Sequence, residues 1–434
     1  MAYADKVQKR IDRLMKWYFP SRVGIFYHYG LFTGGGNATI YENCEPLTYK
    51  SPEEFEAAAD PEIVARNLVQ NALDMGAKYL ILTSIHSCGG LMMLYPTKLP
   101  EFRRKTKKDY IGAYLRAARA AGLYPMLYYP GDCHNHNAAE TLGAVAPEIT
   151  PDGCVEYFEL SVRVLDEWKE RYGDLIAGFW LDGVIPGHFE KIPSEIRKRF
   201  PDAVVTINGR EEFSIPEQDI AATEFCGEEP DPKYNRAGTY RKRFLHNCLP
   251  PQDCNEDIPA PNNWWYQGPD KMEQEYKDDR FFLLRQMITS LGQRGMWNFA
   301  PGIGVTIDGS VPPELRPTFD AVSDFLRWGR EAIYGTKGPA GTFFSAGYFN
   351  VCNSSGFYSV TTPLGNSNIF YVLVTERPGG DYALFETGGH EPERITNLRT
   401  GEEVPFEMWH GVIIKDYDWS DVDNRGVAAL KFEF

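Results

Sequence analysis

The chain has 434 residues, 43% hydrophobic and 24% charged, a balance that suits a globular protein with room for one large barrel and a smaller second domain. Its formal net charge of −15 excludes nucleic acid and anionic membrane surfaces as natural partners, because both call for a basic face. No run approaches the length of a membrane span, and the charged, amphipathic opening residues lack the apolar stretch of an export signal. The eight cysteines (Cys44, Cys88, Cys133, Cys154, Cys226, Cys248, Cys254 and Cys352) are scattered without a CxxC pair and read as reduced thiols, so a cytoplasmic protein is expected.

The first three quarters of the chain repeat one unit: an apolar strand, a polar loop, then a helix. Val23–Tyr29 forms the first predicted strand. Pro61–Met75 follows as a helix, with Ile63, Val64, Leu68, Ala72 and Leu73 on one face, Asp60 as N-cap, Pro61 in the first turn and Gly76 as the stop. Tyr79–Ser84 is the second strand, Tyr110–Ala121 a helix and Pro125–Tyr129 the third strand. A long helix, Cys154–Tyr172, leads to the fourth strand, Ile176–Leu181. A helix over Pro193–Phe200 precedes strands at Ala203–Ile207 and Asp219–Thr223. Phe281–Leu291 is helical, Gly295–Phe299 is a late strand, and Thr318–Trp328 is the last helix of this part. Strands that alternate with helices imply a parallel sheet, and seven or eight such units favour a closed (β/α) barrel over an open sheet. Near Thr336–Pro339 the grammar changes. Short segments rich in β-branched and aromatic residues follow at Phe357–Thr361, Ile369–Val374, Tyr382–Phe385, Val412–Ile414 and Ala428–Phe434, a pattern that predicts an antiparallel β-sandwich. The expected division is a barrel over residues 1–337 and a sandwich over 338–434.

Barrels of this kind carry their catalytic groups at the C-terminal ends of the strands. That rule selects His28 and Tyr29 on the first strand, His86, Ser87 and Cys88 after the second, and Tyr128, Tyr129 and Asp132 on or after the third. It adds Asp182 after the fourth, Asn208 and Arg210 after the fifth, and Glu224 after the sixth. Carboxylates, two histidines, an arginine and a set of aromatics on one rim suit a sugar site. Asp182 leaves a buried apolar strand abruptly, as either a catalytic carboxylate or a strand-end cap. Glu224 is either its partner in two-carboxylate glycoside hydrolysis or a solvated loop residue. Asp132-Cys133-His134-Asn135-His136 contains an HxH that could complete a zinc site with His28 or His86, and equally suits a polar loop or a sugar subsite. A GxSxG elbow, a Rossmann glycine signature and a P-loop are all absent, and Gly34-Gly35-Gly36 is simply a flexible loop.

Seven segments, in order, carry a family resemblance. Gly24-Ile25-Phe26-Tyr27-His28-Tyr29-Gly30 resembles the opening GIFxHWG strand of the retaining α-L-fucosidases, and Gly76 to His86 (GAKYLILTSIH) resembles their GAKYxxLTxKH segment. Phe179-Trp180-Leu181-Asp182-Gly183 is similar to their WFDG motif, Thr206 to Arg210 (TINGR) to VNDR, and Ala222-Thr223-Glu224-Phe225 to a TxEx element. Asn298 to Pro301 with Asp308 to Pro312 resembles LNIGPxxDGxIP, and Trp328 to Thr336 (WGREAIYGT) resembles NGEAIYGT. The resemblance implies a barrel followed by a β-sandwich and an exo-acting, retaining hydrolase that releases terminal α-L-fucose from an oligosaccharide or other glycoside, with no cofactor and no metal. It implies that Asp182 is the nucleophile and Glu224 the acid/base. His28 and His86 would bind sugar hydroxyls, with Tyr29 in the same sugar-binding set. Tyr128 would lie beside the nucleophile, Arg210 would contact the carboxylate site or the sugar, and Trp264 would stack near the sugar's methyl side.

Several positions depart from the pattern. Ser87 stands where the family has a second histidine, Tyr29 where it has Trp, and Trp265 where Gly follows the stacking aromatic. The loop Phe32–Pro46 lacks the usual Glu-Trp pair. These changes fall in the sugar pocket and leave the nucleophile motif intact, so L-galactose or a modified fucose remains open as the sugar. A silent carbohydrate-binding barrel and a metal-dependent barrel hydrolase are the readings from other classes. The sequence carries no signal for an oligomeric state.

Overall fold

A computed structural model describes residues 3–33, 48–86, 92–130, 151–182, 191–208, 217–224, 245–248, 265–266, 278–292, 297–339, 342–344, 346–348, 357–380 and 382–434. Its first part is a ring of parallel strands. In chain order these are β1 (Gly24–His28), β2 (Tyr79–Thr83), β3 (Tyr124–Pro130), β4 (Gly178–Asp182), β5 (Val204–Asn208), β6 (Ile220–Glu224), β7 (Leu245–Cys248), β8 (Asn298–Phe299) and β9 (Gly302–Gly304). Each strand from β1 to β7 pairs with the next, and β9 returns to pair with β1. Val23 bridges Phe299 in the same parallel sense, which closes the ring. β8 and β9 are two halves of one bent last strand, interrupted at Ala300-Pro301. Among the described residues no helix is long and apolar enough to cross a membrane.

Period-two alternation sorts the strand side chains into two cores. Ile25, Tyr27, Leu80, Leu82, Leu127, Phe179, Leu181, Val205 and Ile207 face outward into the helical layer. Phe26, Tyr79, Ile81, Met126, Tyr128, Trp180 and Val204 fill the barrel. The helix Pro61–Met75 forms as its sequence dictates: the Asp60 carboxylate accepts from the Glu62 and Ile63 amides, and Gly76 ends it at φ 86. A Cβ at Gly76 would meet the Tyr334 hydroxyl at 2.9 Å.

The N-terminal helix Tyr3–Lys16 and the turn Tyr18–Ser21 plug the end of the barrel opposite the strand C-termini, with Leu14, Trp17, Tyr18 and Phe19 buried against the interior residues. Trp17 stacks on Tyr124 at 4.7 Å. Arg13 and Arg197 converge on Asp219, whose side chain is fully buried and also accepts from the Val205 amide at 2.9 Å. This ion cluster ties the N-terminal helix to the start of β6.

The remaining strands are β10 (Thr336–Lys337), β11 (Gly347–Tyr348), β12 (Phe357–Pro363), β13 (Ile369–Val374), β14 (Tyr382–Phe385), β15 (Arg394–Asn397), β16 (Glu407–Met408), β17 (Val412–Lys415) and β18 (Ala428–Glu433). They form a six-stranded sheet in the order β10-β12-β13-β18-β15, with β11 beside β12, and a three-stranded sheet β14-β17-β16. Every described pairing among them is antiparallel. The two sheets share one core that includes Tyr358, Val360, Phe370, Val372, Phe385, Val412 and Phe432. The other face of the large sheet lies on the barrel. Tyr371, Leu373 and Ala429 join the barrel's outer core, Thr361 donates to the Ala332 carbonyl at 2.6 Å, and Tyr371 donates to Glu331 at 3.0 Å. The change of grammar near Thr336 therefore falls on β10, already a strand of the antiparallel part.

Candidate active site

The strand register brings the site together. Asp182 is the last residue of β4, opposite Pro130 on β3 and Asn208 on β5. It shares strand parity with Gly178 and Trp180, whose indole fills the barrel, so its carboxylate faces inward at the mouth. The Tyr128 hydroxyl donates to Asp182 Oδ2 at 2.9 Å and Asn208 Nδ2 donates to Oδ1 at 2.8 Å. Each oxygen thus receives a donor from a different neighbouring strand, which fixes the plane of the carboxylate and favours its anion.

His28 and His86 stand beside this group. His28 ends β1, is 3% exposed and points inward with Phe26, whose ring lies 4.6 Å away. The His86 ring stacks on Tyr128 at 4.9 Å and meets His28 edge-on at 5.2 Å. Burial holds His28 well below the usual histidine range, and His86 beside it lowers it further. His86 keeps part of its surface accessible, but burial of the imidazole still pushes it down to about 3. Both rings are therefore neutral near pH 7, each with one donor and one acceptor nitrogen, which matches a hydroxyl that gives and takes a hydrogen bond.

Tyr29 departs from expectation. One residue further along β1 reverses the direction, and its side chain enters the helical layer against Phe55 and Tyr110, with its hydroxyl on the Ile307 carbonyl at 2.6 Å. It braces the outside of the barrel and does not line the mouth. Its amide and carbonyl are held by the Thr83 hydroxyl.

The backbone of Glu224 closes β6, two residues beyond the Ala222 that pairs with Asn208. Asp182, Asn208 and Glu224 thus end three consecutive strands. Arg210, Trp264, Ser87 and the Asp132–His136 segment lie outside the described residues.

Two further residues belong to the site. Asn208 was legible only as a polar residue at a strand end, since its bond to Asp182 depends on register. Trp265, visible in the sequence as a departure, is 1% exposed and sits edge-on to both histidines, each at 5.7 Å. Gly304 at the end of β9 makes room for it: a Cβ there would lie 1.8 Å from the Tyr266 nitrogen.

An inward aspartate with two donors, beside two neutral imidazoles and stacked aromatics, is suited to hold a polyhydroxylated ring and attack it. The fold is similar to that of α-L-fucosidase isoenzyme 1 from Paenibacillus thiaminolyticus, 16% identical, with a TM-score of 0.70 over 98% of this chain and 99% of that one. A family 29 α-L-fucosidase from Bacteroides thetaiotaomicron, trapped as a covalent intermediate, is 16% identical with a TM-score of 0.70 over 99% and 96%. The Thermotoga maritima α-fucosidase is 19% identical with a TM-score of 0.66 over 96% of each chain. These likenesses show the fold. No curated protein sequence matches the chain significantly. The family model described as Alpha-L-fucosidase matches residues 2–331, three quarters of the chain and all of the barrel strands, and on that match the chain belongs to the α-L-fucosidase family of glycoside hydrolases.

Proposed function

We propose that this protein is a retaining exo-glycosidase that releases terminal α-L-fucose, with Asp182 as nucleophile and Glu224 as acid/base. The observation that carries the reading is the Asp182 carboxylate, gripped from both sides by Tyr128 and Asn208 at the barrel mouth. In the first step an Asp182 oxygen attacks the anomeric carbon. The glycosidic C–O bond breaks, and Glu224 gives its proton to the departing oxygen. In the second step water attacks the same carbon from the vacated face and loses its proton to Glu224. The Asp182 ester bond breaks, and two inversions leave net retention. His28 and His86 hold sugar hydroxyls as neutral partners, so neither imidazole adds positive charge near the oxocarbenium-like transition state.

The family's known chemistry supports this reading, as does the solved relative whose description names a covalent intermediate with a fluorinated fucosyl fluoride. Trp265 beside both histidines favours a second reading, in which the same machinery acts on an L-fucose-like sugar such as L-galactose. We further place the catalytic unit in residues 1–337, with 338–434 bracing it, and the scattered cysteines support a cytoplasmic setting. Arg210 and Trp264 complete the proposed sugar-binding set.

The test is hydrolysis of aryl α-L-fucoside, α-L-galactoside, β-D-galactoside and α-L-rhamnoside, with the product's anomer read by NMR before mutarotation. Release of α-L-fucose, abolished in Asp182→Ala, is the expected result. Turnover of α-L-galactoside alone would transfer the assignment to the second reading. A β-anomeric first product would contradict retention.

A further inference from the structure

Trp265 is a large side chain of the site to which the reaction just described gives no task. It is 1% exposed, and its ring contacts His28, His86 and Phe32, each with centroids 5.7 Å apart. Its benzo edge faces Gly30, where a Cβ would lie 3.4 Å from Cη2 and 3.6 Å from Cζ3. The pyrrole edge, with Nε1, is therefore on the far side of the ring from Gly30. Nε1 is buried and makes no hydrogen bond among the described residues. An indole N–H can only donate, and a buried donor without an acceptor is costly, so such groups are rare unless a ligand supplies the acceptor. The chain also commits backbone to this placement, because only glycine at position 304 lets Trp265-Tyr266 run against the end of β9.

We infer that Trp265 is a specificity residue that donates its indole N–H to a hydroxyl oxygen of the sugar bound over Asp182. The inference rests on the glycosidase reading and deepens it by naming a donor that the sugar must satisfy. The bond accounts for both the buried orphan donor and its position against two imidazoles that serve other hydroxyls. A sugar without that oxygen would leave the donor buried and unpaired, which is how a site built to hydrogen-bond a hydroxyl rejects its deoxy analogue.

The experiment compares wild type with Trp265→Phe, which keeps an aromatic ring and removes the N–H, on an aryl α-L-fucoside and its 2-, 3- and 4-deoxy analogues. The expected result is a loss of roughly 10- to 100-fold in kcat/KM on the complete sugar that shrinks toward unity on one deoxy analogue. An equal loss on every substrate would assign Trp265 to packing alone and overturn the inference, and so would no loss at all. A second measurement does not depend on the variant's folding. In the wild-type chain labelled with 15N-tryptophan, saturating L-fucose should move one of nine indole N–H signals downfield, and that signal should persist in Trp264→Phe. If other signals report binding and no indole signal moves, the inference fails while the glycosidase reading stands. If wild type turns over none of the glycosides and no signal moves, the glycosidase reading itself fails.

Discussion

Asn208 Nδ2 lies 2.8 Å from Asp182 Oδ1 across a one-to-one register between adjacent parallel strands. The Tyr128 hydroxyl holds the other oxygen from the opposite side. These two donors fix the orientation of the carboxylate and, on the proposed reading, decide which lone pair it turns to the sugar.

Removing either donor should therefore slow the chemical step more than binding. Asn208→Ala and Tyr128→Phe are each expected to lower kcat by about 10- to 100-fold with a smaller change in KM. The two losses should combine less than additively, because both act through one carboxylate. Steady-state kinetics of the two single variants and the double variant check this, and a normal kcat in both single variants would show that the grip has no catalytic role.

The buried histidines make stability depend on pH in a defined direction. His28 and His86 have lower pKa values folded than unfolded, so below the ordinary histidine value of about 6.5 the unfolded chain binds more protons. Stability is complete above that pH and is lost as pH falls toward about 3, the folded value of His86. The slope approaches about 1.4 kcal/mol per pH unit for each histidine. Denaturant melts of His28→Asn between pH 4 and 7 should show a shallower slope than wild type. An identical slope would mean that His28 ionises as readily folded as unfolded.

Asp219 should be the most sensitive carboxylate of the barrel's closed end. Its side chain is fully buried and binds Arg13, Arg197 and the Val205 amide. Asp219→Ala removes the shared buried partner of two guanidinium groups and an amide, a loss of about 3–5 kcal/mol. Arg13→Ala alone should cost less, because Arg197 remains to pair the carboxylate. Chemical denaturation measures both, and equal small losses would reduce the cluster to a surface ion pair.

Much of this was legible before any coordinates. Runs such as Tyr79–Thr83 and Gly178–Leu181 declare buried parallel strands through composition, and Asp60 and Gly76 bracket their helix through capping chemistry. The seventh barrel strand, Leu245–Cys248, was not, because Leu-His-Asn-Cys is too short and too polar to register as a strand. Its existence comes from its neighbours, which need a partner to close the ring. Of the late strand expected at Gly295–Phe299, the described residues include the strand pair Asn298–Phe299, and a second piece follows at Gly302–Gly304 because Pro301 interrupts the ladder. Short strands such as Arg394–Asn397 and Glu407–Met408 carry too few residues for a period to show.

The site divides the same way. Asp182, His28, His86 and Tyr128 follow from the rule that strand ends hold the chemistry. Tyr29 follows from the same rule and is misplaced by it. Strand parity was the missing test, since Ile25, Tyr27 and Tyr29 share one face and Phe26 and His28 the other. Asn208 shares the inward parity of Asp182, but only register shows that the two residues are opposite one another. Trp265 lies in a loop between strands, where no periodicity reports burial.

Attack of Asp182 on the sugar can be read by trapping the glycosyl-enzyme. The protein is incubated with a 2-deoxy-2-fluoro-α-L-fucosyl fluoride, which slows the second step more than the first, then digested and analysed by mass spectrometry. One added fluorofucosyl group per chain is expected, on the Asp182 side chain, and none in Asp182→Ala. A label on any other carboxylate, or undiminished labelling of Asp182→Ala, would contradict it.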